Sequence, residues 1–484
     1  MPELNQKIQK YINRSQVSIY QLAKNTNLDR TMIQKMIKGT KYPGFRFFVK
    51  FCDALMLNLD EREELINLFL IEKIGIKRYQ TRTEVGNLLS VLQSMDNNYV
   101  NLYELPISIP QLPGKDGQAS EIKGVQNVRL FAYAMLREQI CECHAQDIYL
   151  DLCEWSDLLL KIIYHFKSLS SSPVQTHQHL VLSYINSENK SNSENILTMQ
   201  KVLPSLFVLK KDYHLRYFYV NDIQDQKRFG TFPHYILGED RLFLFNDSAD
   251  RGISITDPVM IASYRQEIMR IESNSIKLVR YFGKDIDAKK VYYNIAAENR
   301  IIASYGLTPC VQFFAAAASY TDTSDLIVKK MFSKAADHQL DAMEDPDYIQ
   351  IYGTAGMRRF IETGILPAPA GTFYQPVEKQ KRMELIKEYE DFLSQSKSSY
   401  LLKESADMTE NHSGLKVKLF APNRILLSGG GVGIPHGMIL LEENSTFENL
   451  LDYFQGLIEY ERVYRPEEGA KEFRKKMDEY VSKL

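Results

Sequence analysis

Apolar residues recur at helical spacing through the first seventy positions, after which helical and strand patterns alternate. Leu4, Ile8 and Ile12 return every fourth residue and line one face of a first helix. Ser18 stands where it caps a short second helix holding Ile19, Leu22 and Ala23. The polar corner Asn25-Thr26-Asn27 follows, Asn being a residue that tolerates left-handed backbone. Leu28 packs inward, and Asp29 sits at the N-cap of a third helix that Gly39 ends. In that helix Ile33, Met36 and Ile37 face the core, leaving Arg30, Thr31, Gln34 and Lys35 outward. The pattern predicts a fourth helix over Phe45 to Leu57 and a fifth, capped by Asp60, to about Ile74.

Charge changes the picture of this segment. Residues 1–50 hold ten Lys/Arg against two acids, a net +8, while the whole chain is −2, so residues 51–484 carry −10. An asymmetry of this size points to an acidic partner for one end only. The string IYQLAKNTNLDRTMIQKMIKGTKYP resembles the XRE, or Cro/C1-type, repressor family through Leu22-Ala23, the corner before Leu28, Ile33, Gly39 and Pro43. The resemblance covers about 70 residues, and the five-helix layout agrees with it. Two positions depart from it: Ile19 stands where many members keep a phosphate-touching Gln, and Asn27 replaces the commoner Gly. The resemblance implies that the third helix enters the major groove of an operator, with Arg30, Thr31, Gln34 and Lys35 reading bases. Lys24, Lys38, Lys41 and Arg46 would then hold phosphates. The alternative is a solvated basic face on a protein-binding helical domain.

Residues 75–124 read as a connector, with one helix near Glu84 to Met95 and then the Pro/Gly-rich LPISIPQLPGKDGQ, which forbids continuous helix or central strand. Tethering is its simplest role. Beyond it, Val125 to Ile140 predicts helix, Ile148 to Leu152 strand, Ser156 to Phe166 helix, and Leu206 to Val220 strand with a turn near Lys211-Asp212. Such mixing indicates an α/β or α+β body. Two segments look alike. Arg241 to Phe245, a loop, Gly252 to Asp257 and a helix through Ile261 and Ile268 match Arg424 to Leu427, a Gly-rich loop, Gly437 to Glu442 and a helix through Phe447 and Phe454. This order predicts two similar halves, 125–287 and 288–484, although hairpin–helix units also recur by chance. The unit further resembles effector domains of archaeal and bacterial regulators related to phospholipase D folds. The His-x-Lys-x-x-x-x-Asp signature of the active enzymes occurs nowhere in the chain, so the resemblance implies fold without that chemistry.

Candidate chemistry in the body is thin. Cys141, Cys143, His144 and Cys153 lie close in sequence, but C-x-C-H with a lone later Cys fits zinc poorly, and no metal is expected. The run Gly429 to Gly437, with His436 inside it, lacks the spacing of a phosphate loop. Tyr213, Tyr217, Phe218, Tyr219 and Tyr292-Tyr293 read as core or as pocket lining. No apolar run approaches the ~18 residues that cross a bilayer, the polar first residues lack a signal-peptide core, and five cysteines give no disulfide framework. The expectation is therefore a multidomain cytoplasmic protein: a five-helix DNA-binding module (1–74) on a large α/β body. It is not read as an enzyme and needs no cofactor. It binds a double-stranded operator, as a homodimer, and answers to a small-molecule or peptide effector. An enzymatic body, or a peptide receptor with a helical-repeat body, are the alternatives.

Overall fold

The computed structural model describes residues 3–27, 29–95, 112, 119–151, 153–171, 173–184, 193–220, 231–282, 294–295, 298–309, 311, 326–366, 376–403, 415–429 and 437–483, excepting the side chains of 326–329, 331–332 and 335. The chain opens with five helices: α1 (Glu3–Ser15), α2 (Ile19–Thr26), α3 (Arg30–Lys38), α4 (Phe45–Ala54) and α5 (Leu59–Ile74). They enclose one core of Leu4, Ile8, Leu22, Ile33, Met36, Phe48, Phe51, Leu65 and Phe69, all buried. Ser18 and Gln21 form a reciprocal capping box at α2, and Asp29 accepts the Thr31 N–H at the start of α3. Asn27 takes the left-handed conformation at φ 57°. Leu28 lies outside the described residues. The fifth helix is capped by Asn58, not Asp60, because Asn58 stands three residues before Glu61 and closes a second capping box with it. Asp60 instead occupies the first turn, where its charge favours the helix dipole.

The largest departure from the sequence reading follows Gly75. The connector helix α6 runs over Ile76–Ser94, starting eight residues before the predicted Glu84. The stretch IKRYQTRTE carries no apolar stripe, since its inner face is polar: Thr81 and Arg82 are buried. Arg82 donates to Asp452 (2.8 and 3.0 Å) and to Glu459 (3.0 Å), and Arg78 Nε to Asp452 (2.9 Å). Further along α6, Val85, Leu88, Leu89 and Leu92 join the main core of the body. The helix is therefore part of the body and not a tether. Most of the Pro/Gly-rich passage falls outside the described residues.

The body contains two eight-stranded mixed sheets. The first uses β1 (Ala119–Lys123), β2 (Asp147–Asp151), β3 (Gln175–Ser183), β4 (Tyr213–Val220), β5 (His234–Leu237), β6 (Leu242–Phe245), β7 (Arg251–Ile255) and β8 (Ile276–Lys277). The second uses β9 (Val279–Phe282), β10 (Ile301–Gly306), β11 (Ile349–Tyr352), β12 (Ser399–Leu402), β13 (Lys416–Phe420), β14 (Arg424–Gly429), β15 (Gly437–Glu442) and β16 (Val463–Tyr464). Their orders are β1-β7-β6-β5-β2-β3-β4-β8 and β9-β15-β14-β13-β10-β11-β12-β16, the same order displaced by eight strands. In each, three central strands are parallel and three hairpin strands follow antiparallel. The two look-alike segments of the sequence occupy equivalent places, β6–β7 and β14–β15. Two strands lie across the expected boundaries: β1 belongs to the first sheet from within the connector, and β9 to the second sheet from within the first half. Sheets of this size exclude a helical-repeat body.

Local predictions fail where burial flattens the pattern. Leu206–Leu209 ends the helix α9 (Ser193–Leu209), which follows α7 (Val125–Arg137) and α8 (Ser156–Ser170), and strand begins only at Tyr213. Val202, Leu203, Leu206, Phe207 and Leu209 are all buried, so no 3.6-residue stripe survives to mark the helix. The helix after β7, α10 (Pro258–Asn274), is mostly exposed. Its counterpart after β15, over Asn444–Glu459, packs Phe447, Leu450 and Phe454 into the main core and carries Asp452 and Glu459 toward Arg82. At Gly456 a Cβ would stand 2.6 Å from a guanidinium nitrogen of Arg82, so this helix needs glycine there.

Removing one partner of a buried ion pair costs about 3–5 kcal/mol. For Arg82→Met the loss falls near the low end, about 3 kcal/mol, because Arg78 still reaches Asp452. Hydrogen exchange of the α6 amides reads this directly, as lost protection. Burial alone would raise the Asp452 carboxyl, but hydrogen bonds from Arg82 and Arg78 outweigh it and hold it below its usual value. The contact is therefore complete above about pH 4 and weakens as pH falls further. Protection in α6 should fall on acidification below that value in wild type and fall less in Arg82→Met, where Arg78 alone still pairs with Asp452.

Candidate nucleic-acid interface

The surface built by α2 and α3 is set from below by a buried polar side chain. Asn5, on the inner face of α1, donates to Met36 O (2.8 Å) and Ile37 O (3.1 Å), the orphan carbonyls at the end of α3. Tyr42 Oη donates to Asn5 Oδ1 at 2.7 Å. Gly39 closes α3 at φ 71°, and a Cβ there would lie 2.7 Å from Asn5 Nδ2. With Asp29 capping one end and Asn5 the other, α3 is pinned along its length. Asn5 escapes sequence reasoning because it interrupts an apolar stripe, the place where a polar residue reads as a break; its position between Leu4 and Ile8 was the available signal.

The four predicted base readers, Arg30, Thr31, Gln34 and Lys35, are all exposed on α3. Lys24, Lys38, Lys41 and Arg46 are exposed around it, on α2, at the end of α3 and up to the start of α4. The cations of the module separate by what they touch. Two of the three on α1 are met by acids of α5: Lys7 pairs with Glu64 at 2.6 Å, and Arg14 grips Glu61 through two nitrogens, while Lys10 is exposed and lies over the Tyr11 ring at 5.9 Å. Arg14 holds the Glu61 carboxyl down to about 2. The side chains of Lys24, Lys35, Lys38, Lys41 and Arg46 have no hydrogen bond or ion pair among the described residues. Arg30 has one described side-chain contact, the face of Tyr20 at 4.5 Å. So two of the three positive charges on α1 are neutralised at short range, while those around α3 are left to solvent. Cations without a local counter-charge are the ones whose field reaches an approaching polyanion.

The body offers a second concentration of polar chemistry, on histidines that sequence reasoning passed over. On one face of β2–β3–β4, His177 bonds Asp147 (2.8 Å) and Glu272 (3.3 Å), and stacks between Tyr149 and His214 at 4.6 and 4.9 Å. His234 bridges Asp151 (3.0 Å) and Asp247 (2.8 Å). Burial lowers its basicity, but these carboxylates outweigh burial and raise its pKa. His179 is buried with both ring nitrogens lacking a hydrogen bond, and burial pushes its pKa down. In the second sheet the corresponding strands, β11 and β12, carry Ile351 in the main core and Tyr400 packed against it.

Other sequence candidates are dispersed. Cys141, Cys143 and Cys153 point to separate neighbours, namely Phe166 O, Asp240 and Ser156, and His144 is exposed. Burial pushes the Cys153 thiol up to about 11. Among the described residues no three His, Cys, Asp or Glu stand in a metal-holding group. Tyr213 and Tyr217 are core residues. Residues 430–436, with His436, and Tyr292-Tyr293 fall outside the described residues. Among the described residues no helix is long and apolar enough to cross a membrane.

No protein-family model matches this chain, and no curated protein matches it in sequence. Solved structures align with it at low similarity. The archaeal chromatin protein TrmBL2 aligns at 13% identity over 46% of this chain and 72% of that one, with a TM-score of 0.23. Polyphosphate kinase from Porphyromonas gingivalis aligns at 11% identity over 70% of this chain and 50% of that one, with a TM-score of 0.19. At such scores neither fold nor function passes from those proteins to this chain.

Deleting the Asn5 side-chain amide leaves the Ile37 carbonyl without this donor and Met36 O with the Gly39 N–H, a cost of about 1–3 kcal/mol, and Asp29→Ala removes a cap worth about 0.5–2 kcal/mol. Amide exchange in α3 should accelerate in both variants, while exchange in the sheets of the body stays as in wild type.

Proposed function

We propose that the chain is a sequence-specific DNA-binding regulator of the Cro/C1 type, whose helix α3 lies in the major groove. The observation that carries this reading is the set of exposed, unneutralised cations around α3, next to paired cations on α1. Arg30 and Lys35 suit guanine O6 and N7, Gln34 suits adenine, and the Thr31 methyl packs on thymine. Lys24, Lys38, Lys41 and Arg46 hold phosphates and set register. The acidic body, with a net charge of −6 over residues 75–484, is repelled by the same DNA and orients the basic module toward it. The protein acts in the cytoplasm as a homodimer on two half-sites about one helical turn apart, ~34 Å, and works by binding and not by catalysis.

The body reads an effector. His179 supports this: an imidazole buried without a hydrogen bond is an uncommon and costly arrangement that a bound polar molecule would relieve. A thermal-shift screen of small polar metabolites should yield a stabilising compound whose effect disappears in His179→Leu; a screen in which the two proteins respond alike speaks against an effector at this face.

Selection of bound sites from random duplex DNA tests the DNA reading. Arg30→Ala and Lys35→Ala should each weaken the selected site by ~1–3 kcal/mol and relax one base preference, whereas Lys41→Ala should weaken all sequences alike. Wild type that selects no sequence, or helix variants with unchanged selectivity, would remove the recognition-helix assignment.

A further inference from the structure

Tyr20 is a large aromatic side chain, 59% exposed, on the second position of α2. It lies outside the residues that form the core of the module, so folding does not explain it. Its ring carries the Arg30 guanidinium at 4.5 Å from the centroid. Both residues sit in the first turns of their helices, each fixed by a cap, Ser18 for α2 and Asp29 for α3. The partners of the stack therefore stand on two rigid starts.

We propose that Tyr20 is a positioning residue for base recognition: stacking on Arg30, it holds the guanidinium as a pre-formed fork for one guanine. The inference rests on the DNA-binding reading above. A guanidinium stacked on an aromatic face keeps its in-plane N–H donors unengaged, and these are the groups that pair with guanine O6 and N7. An unsupported Arg loses much rotamer freedom when it docks on a base; a stacked one has lost part of it beforehand. Ile19, next to Tyr20, is partly buried against the core and presents no hydrogen-bonding group, whereas the Tyr20 ring meets Arg30 at the start of α3. Arg30 forms no ion pair that would compete for its donors among the described residues.

The effect of an exposed cation–π contact, about 0.5–1 kcal/mol, converts to about a two- to five-fold change in affinity. The test compares the full-length wild type, Arg30→Ala, Tyr20→Leu and Tyr20→Phe by selection from random duplex DNA and by titration of the selected site and its single-base variants. Tyr20→Leu should lose about two- to five-fold on the selected site and relax preference at the position that Arg30→Ala relaxes. Tyr20→Phe, which keeps the ring, should behave as wild type. Unaltered preference in Tyr20→Leu overturns the proposal. So does an equal loss in Tyr20→Leu and Tyr20→Phe on every sequence, which would make the hydroxyl a phosphate contact. If Arg30→Ala itself relaxes no position, the recognition-helix reading fails first, and the two failures are told apart.

Discussion

A charge taken out of water must be given counter-charges by the fold, and this constraint sets the layout of the molecule. Arg82 is buried where α6 meets the helix over Asn444–Glu459, and Asp452, Glu459 and the Tyr460 ring surround it. Gly456 makes the room. Tyr460 also packs against Phe45 of the helical module at 5.3 Å, one residue from Arg46. The same few residues thus join the last third of the chain to the first helices. A surface cation that would hold DNA phosphate lies beside that junction, which gives the body a physical route to influence binding.

The constraint also sorts the remaining basic residues. Lys7 and Arg14 belong to structure, since acids of α5 lie within hydrogen-bonding distance. The cations around α3 have no such neighbours, and nothing in the packing of the module asks for them. Asn5 completes the division. It is polar and fully buried, yet it fixes the end of the helix that displays the proposed reading face. Charge at the surface and amide beneath it serve the same helix.

Much of the helical module was legible in the sequence because its helices announce themselves by apolar spacing, and α2, α3 and α5 also by a capping residue. Ser18, Asp29 and Gly39 are where local chemistry puts them. The fifth cap was misplaced by two residues, since Asn58 and Asp60 both suit a cap and only the pairing with Glu61 decides. The exposed residues of α3 were legible; which cations are neutralised was not, because Lys7 and Glu64 lie 57 positions apart in sequence. In the body, the hairpin–helix likeness was visible because β6–β7 and β14–β15 are short apolar strands whose second member is led by glycine and followed by an acid and a helix. The polar start of α6, the largely buried α9 and the histidine face of the first sheet were hidden for one reason: each carries side chains whose partners come from distant segments.

The central claim is that pairing inside the fold decides which cations meet DNA. The dependence of affinity on salt tests it most directly, since each phosphate contact contributes ~0.9 to the slope of log affinity against log salt concentration. The account predicts that Lys38→Ala and Lys41→Ala each flatten that slope by about 0.9, and that Lys7→Ala, although it removes the same charge, leaves it unchanged. Equal flattening by all three would contradict the account, as would a slope that none of them alters.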